Sequence, residues 1–129
     1  MKTIISPSKY VQGPGALGEV GKYAAQMGER ALIIGGRTAL EAAQSPLVGS
    51  LEAAGMRVGV ELFCGESSWE EIRRLTDLAR ASGATVVIGT GGGKALDTAK
   101  VVGRDAGARW INVPTTVATN AACSAVTVI

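Results

Sequence analysis

Between Val86 and Lys100 the chain reads VVIGTGGGKALDTAK, an apolar run that meets glycines at Gly89, Gly91, Gly92 and Gly93 and then Lys94. The pattern predicts a strand, a tight turn and a helix, and the chemistry it offers is anion binding. Glycines leave backbone N–H groups uncovered and accept positive φ, while a helix beginning near Lys94 directs its positive dipole end at the same place. The lysine adds a full charge, so a phosphate would sit there. Two familiar phosphate loops do not match. A Walker A loop needs glycine where Ile88 stands, and Ser or Thr where Ala95 stands. The strict G-x-G-x-x-G fingerprint starts well at Gly89 and Gly91 but places Lys94 at its third glycine, and it falls after several predicted strands. A glycine-rich turn without a ligand is the alternative that these residues leave open.

Composition bounds what can surround this loop. A chain of 129 residues, 47% hydrophobic and 19% charged, can bury one core and is expected to be one domain. A net charge of +2, no block of Lys or Arg and 4% aromatic residues argue against a nucleic-acid partner. The N-terminus MKTIISPSKY has no long apolar stretch, and no run approaches the roughly 18 apolar residues of a membrane helix, so the expectation is a soluble cytoplasmic protein with no membrane partner. Cys64 and Cys123 lie far apart with no metal spacing and are expected to be buried free thiols. Histidine is absent altogether. The commonest metal ligand and general base near neutral pH is therefore missing from these residues.

The elements that must position the loop alternate. A short extended piece at 9–12 precedes a helix over 16–27 with Leu17, Val20, Ala24 and Met27 at spacings of three and four. A strand over 31–34 follows, then helical character over 38–54 interrupted at Pro46, then a strand over 57–63. Ser68 opens the next helix with Glu71 as a capping box, and Ile72, Leu75, Leu78 and Ala79 form its inner face as far as Gly83. Strands over 86–88 and 110–113 flank a helix over 94–102. This β-α-β-α-β-α-β-α-β order predicts an α/β fold, a parallel sheet with helices on both faces. Ligands in such sheets bind beyond the carboxyl ends of the strands, which places the loops after Ile34, Ile88 and Val113 together.

The third of these loops reads VPTTVATNAACSAVTVI. Pro114 ends the strand, and Thr115, Thr116, Thr119 and Asn120 carry hydroxyl and amide groups that suit either a ligand or a self-capped turn. Residues 124–129 read as a further β-branched strand that stops without turn or polar tail, so a continuation is expected.

SPSKYVQG, GTGGGKALDTAK and VPTTVATNAACSAVTVI together resemble the N-terminal domain of glycerol dehydrogenases, within the iron-containing alcohol dehydrogenase and dehydroquinate synthase superfamily. The resemblance covers essentially residues 1–129. It implies a Rossmann-like dinucleotide-binding domain, truncated in its last strand. The family's C-terminal helical domain, whose histidines and aspartate hold one zinc or iron, would lie beyond Ile129. The implied activity is NAD(P)-dependent oxidoreduction of an alcohol or polyol, with the present chain inactive alone and a homo-oligomer or a missing C-terminal half as its partner. Position by position, Gly91, Gly92, Gly93 and Lys94 match the pyrophosphate loop, and Asp97 matches an aspartate on the nicotinamide side. Thr115, with Thr116 beside it, matches the adenosine and phosphate contact, and Ser124 and Val126 match the nicotinamide pocket.

Two departures refine the expectation. The family usually carries an aspartate after the second strand that binds the adenosine ribose, whereas this chain has Gly36 and Arg37. Loss of the carboxylate and gain of a guanidinium favour NADP, or tolerance of both NADP and NAD. Asn120 stands where glycerol dehydrogenases place a substrate-binding aspartate, which leaves a hydroxycarboxylate dehydrogenase of the same superfamily as the alternative substrate class. A dehydroquinate synthase-type lyase fits the PTTVATN segment less well, and a non-catalytic nucleotide-binding fragment is the remaining alternative.

Overall fold

The computed structural model describes residues 9–12, 15–115 and 125–128, with side chains over 15–115. Its strands are β1 (Lys9–Gln12), β2 (Arg30–Gly35), β3 (Arg57–Leu62), β4 (Val86–Gly91), β5 (Arg109–Pro114) and β6 (Ala125–Val128). They form one sheet in the order β1-β6-β5-β4-β2-β3. β3, β2, β4 and β5 are mutually parallel, whereas β6 is antiparallel to both of its neighbours. The parallel sheet expected from alternation is present as the four-strand unit β3-β2-β4-β5, which the reversed strand β6 extends. Alternation counts crossovers but carries no information on a strand reached without a helix, and no described helix intervenes between β5 and β6.

Period-two burial separates two cores. Ala31, Ile33, Val86, Ile88, Ile111 and Val113 face one side of the sheet. There they meet Leu40, Ala43, Leu47 and Leu51 of α2 (Arg37–Ala53) and Val20 and Ala24 of α1 (Val20–Ala24), which is flanked by 3-10 turns at Ala16–Glu19 and Ala25–Met27. Leu32, Ile34 and Val87 face the other side, against Leu75 and Ala79 of α3 (Trp69–Ser82) and Ala95, Ala99 and Val102 of α4 (Gly93–Asp105). Alternate residues of one strand therefore feed different cores, as the pleat requires. β2 is continued by α2 on one face and β4 by α4 on the other, and β2 and β4 are neighbours. Their chains diverge at the carboxyl edge, where an open α/β sheet forms a crevice.

Several expectations are corrected here. α2 runs unbroken through Pro46. Pro46 lies on the exposed side of the helix, so the carbonyl it leaves unpaired can meet water, while burial of Leu40, Leu47 and Leu51 opposite, about 1.5–3 kcal/mol each, outweighs the lost bond. β4 extends through Gly89 to Gly91, so residues expected in a loop belong to the ladder. Leu78 is exposed, and Glu71 and Thr76 take part in the buried face of α3 instead. Cys64 is an exposed thiol and not a buried one; Cys123 lies outside the described residues. Among the described residues no helix is long and apolar enough to cross a membrane.

The capping box at α3 is half formed, and its other half does something else. Ser68 Oγ accepts the Glu71 N–H at 3.1 Å, but the Glu71 carboxylate turns away to accept the Cys64 N–H at 2.9 Å and the Arg74 guanidinium at 2.8 and 2.9 Å. Arg74 also donates to Glu61 at 2.8 Å and to the Leu62 carbonyl at 2.9 Å. This network pins the loop after β3 to the sheet edge. The hydrogen bonds from Arg74 hold the Glu71 carboxyl at about 2, below its ordinary 4.5, against the opposing effect of its burial. A depressed folded-state pKa contributes stability above pH 4.5 that is lost as pH falls toward 2, on the order of 3 kcal/mol for a shift of this size. Glu71→Gln is expected to lower stability at pH 7 by about that amount and to flatten the acid limb between pH 4.5 and 2; urea titrations across that range check it.

Candidate functional site

Glycine at two positions follows from the fold itself. A Cβ built on Gly89 would lie 2.5 Å from Ala99 Cβ, so α4 rests directly on the β4 backbone. Gly91 has φ +138°, and a Cβ there would lie 3.1 Å from Ala95 Cβ and 3.6 Å from Ala39 Cβ. Ala95 and Ala39 are each third in their helices, so the first turns of α4 and α2 converge on Gly91 from opposite faces. The fold makes no such demand at Gly36, Gly92 or Gly93. Their φ values are not in the positive range, and a Cβ at any of them would meet nothing within 4 Å. Among the described residues the ground in front of both helix starts is therefore open at these glycines.

That ground is lined with donors. Leu96 N–H reaches the Gly92 carbonyl at 3.1 Å and Leu40 N–H the Gly36 carbonyl at 2.9 Å, which leaves the N–H groups before them without intrahelical partners. Gly36 and Gly92 are extended N-caps, and neither helix has a side-chain cap or an acidic residue in its first turn. α3, by contrast, has the Ser68 cap and both Glu70 and Glu71. Arg37 and Lys94 stand exposed in the first turns of α2 and α4, and neither forms an ion pair among the described residues. A cation there opposes the helix dipole by about 0.3–1 kcal/mol, a cost that an anion in the crevice reverses. The third loop joins them, because Thr115 N–H donates to the Gly91 carbonyl at 3.0 Å.

Of the residues expected at the site, Gly36, Arg37, Gly91, Gly92, Gly93, Lys94 and Thr115 therefore meet at one edge of the sheet. Gly91 does so as a packing position, buried between the two helices, and the exposed Gly92 and Gly93 front the open ground. Asp97 is exposed one turn into α4. Val126 lies on β6 opposite Val11. Thr116, Asn120 and Ser124 lie outside the described residues. Sequence reasoning missed Ala39, Ala95 and Thr90. The signal for the first two was present, since GGRTAL and GGGKAL both run from a glycine cap to Ala at the third and Leu at the fourth helical position. Thr90 is fully buried with its methyl carbon over Gly35, and its hydroxyl has no partner among the described residues.

The arrangement can hold a diphosphate without a bound cation, through backbone donors, two helix dipoles and two side-chain charges. It does not suit a metal. Among the described residues no three of His, Cys, Asp and Glu come together, and the whole chain has no histidine.

Residues 7–129 match the family model for iron-containing alcohol dehydrogenases. The chain is 40% identical over 124 residues to a glycolaldehyde reductase of Halobacterium salinarum, covering 96% of this chain and 34% of that protein. It is 39% identical over 128 residues to a glycerol dehydrogenase of Escherichia coli, covering 99% and 35%. Among solved structures, a probable glycerol dehydrogenase from Sinorhizobium meliloti superposes with a TM-score of 0.72 at 33% identity, over 84% of this chain and 29% of that one. The chain spans about a third of the length of the curated relatives it matches.

The two classes of glycine are separable by substitution. Gly91→Ala is expected to destabilise the protein by about 1–3 kcal/mol, from positive φ and crowding by Ala95. Gly93→Ala, at the first helical position in open space, is expected to leave stability unchanged or to raise it by up to about 1 kcal/mol. Thermal melts of both variants check the contrast.

Proposed function

The chain belongs to the iron-containing alcohol dehydrogenase family, and on that premise we propose that the crevice between the starts of α2 and α4 binds a nicotinamide dinucleotide, NADP in preference to NAD, for oxidoreduction of a small polyol or hydroxy-carbonyl substrate. The observation that carries the reading is the pair of uncapped, acid-free helix starts meeting at Gly91 behind the open glycines 36, 92 and 93. The pyrophosphate lies across Gly92 and Gly93 with Lys94 as its charged contact. The bound nicotinamide supplies the hydride chemistry. This chain's residues supply position and charge: the glycines allow close approach, the helix starts orient the phosphates, and Thr115 holds the third loop against Gly91. Asp97, one turn farther along α4, lies toward the nicotinamide end.

The preference for NADP rests on the start of α2. Gly36 presents no side chain and Arg37 a guanidinium unpaired among the described residues, so a 2′-phosphate meets charge-assisted donors where a carboxylate would repel it. The substrate class rests on the relatives, whose names specify glycerol and glycolaldehyde, each a small molecule with adjacent oxygens. The metal that the family name implies has no donor set among the described residues.

Lys94→Ala is expected to weaken dinucleotide binding by about 1.5–3 kcal/mol, with NADPH and NADH affected alike, since both carry the pyrophosphate. Arg37→Ala is expected to weaken NADPH binding about tenfold or more and to leave NADH nearly unchanged. Calorimetric titration of both cofactors against the wild type and the two variants provides the measurement. Tighter binding of NADH than NADPH by the wild type would reject the proposed ribose pocket, and an unaltered Lys94→Ala affinity would reject the proposed phosphate contact.

A further inference from the structure

The outer edge of the sheet carries an observation independent of the cofactor crevice. β3 is the last strand in the order, and among the described residues no strand pairs with its outer side. Arg57 N–H donates to the Glu29 carbonyl and Phe63 N–H to the Gly35 carbonyl, so the odd-numbered residues of the strand face β2. The backbone groups of Val58, Val60 and Leu62 therefore point outward. One of them is already taken: the Leu62 carbonyl accepts from Arg74 at 2.9 Å. Val58 and Val60 remain as a two-residue ladder of free donors and acceptors. The strand has no proline and no bulge, the usual devices that blunt an edge.

We propose that this edge pairs with a second copy of the chain, β3 against β3 in antiparallel register about a two-fold axis at Gly59. The outward phase and the charges select that register. Setting Val58 opposite the partner's Val60 makes both of them hydrogen-bonded pairs and exchanges four N–H···O bonds across the axis. The same register sets Gly59 opposite its own copy and Arg57 opposite the partner's Glu61, as close non-hydrogen-bonded pairs. Shifting by two residues either way separates Arg57 from Glu61, and a shift of four sets like charges against each other. Gly59 has room at the axis, since a Cβ there would meet only Leu32 Cδ1, at 3.5 Å. Arg57 is exposed and forms no ion pair among the described residues, and Glu61 has a second carboxylate oxygen beyond the one held by Arg74. Such an interface is isologous and closes as a dimer. Its gain is mainly backbone bonding with little apolar area, so it is weak and depends on concentration.

Sedimentation velocity from about 1 to several hundred micromolar is expected to show a reversible monomer–dimer equilibrium that weakens with salt. Val60→Pro, which removes an outward donor alone, is expected to abolish the dimer, and Arg57→Glu to weaken it roughly fivefold or more; circular dichroism of each confirms that it is folded. In a Cys64→Ser, Cys123→Ser background, Gly59→Cys is expected to form an interchain disulfide with oxidised glutathione, because non-hydrogen-bonded antiparallel pairs bring Cα atoms within disulfide range. Gly49→Cys, exposed on α2, is the control. A protein monomeric throughout, a dimer unaffected by Val60→Pro, or cross-linking no faster at 59 than at 49 would overturn the proposal.

Discussion

Everything at the carboxyl edge depends on how closely two helices approach the backbone of β4. Gly89 lets α4 lie on the strand, and Gly91 lets the first turns of α4 and α2 converge, with Ala95 and Ala39 as the smallest side chains that still carry a Cβ. A methyl group added at Gly89 would push α4 away by something of the order of an ångström, and one at Gly91, where φ is +138°, would add backbone strain and a smaller displacement of Ala95. The donors of two helix starts would then no longer address a common space. Packing and the proposed binding are thus one constraint here, because the gap the cores leave at Gly91 is the gap in which the crevice forms.

Helix electrostatics separates the parts of the molecule that must merely be stable from those kept available. α3 follows every rule for a self-sufficient helix, with the Ser68 cap, acids in its first turn and the left-handed Gly83 at its end. α2 and α4 follow none of these at their starts and place Arg37 and Lys94 where the dipole disfavours them. Consistency across levels is the default in a foldable sequence, and a local violation repeated at two adjacent helix starts marks where another requirement prevails. The Glu71–Arg74–Glu61 network shows the complementary arrangement: charges near a strand end that satisfy one another, with a carboxyl held far below its ordinary pKa, and so hold a loop in place.

The two ends of the sheet are finished differently. At one, β6 runs against β5 and β1 and extends the sheet, whereas at the other, among the described residues, β3 ends with Val58 and Val60 unpaired on their outer side and the Leu62 carbonyl covered by Arg74. That asymmetry makes β3 the side from which the sheet can grow further.

The local pattern of residues determined the helices, the strands of the parallel unit and the glycine-rich strand-to-helix turn of GTGGGK, because periodicity, caps and turn chemistry act over a few residues. The resemblance to glycerol dehydrogenases was carried by the same contiguous motifs and agrees with the family match over residues 7–129. Tertiary structure decided what depends on distant neighbours. It kept α2 continuous through Pro46, because burial on the opposite face outweighs a lost bond at an exposed one. It set β6 antiparallel, a matter of pairing partners that alternation does not encode. It divided the glycines by role: Gly89 packs under Ala99 of α4 and Gly91 faces both Ala95 of α4 and the distant Ala39 of α2, while Gly92 and Gly93 face open space among the described residues, a distinction that no run of identical letters contains. It also exposed Cys64 and turned Glu71 from its expected cap toward Arg74, since a side chain chooses among partners that only folding brings within reach.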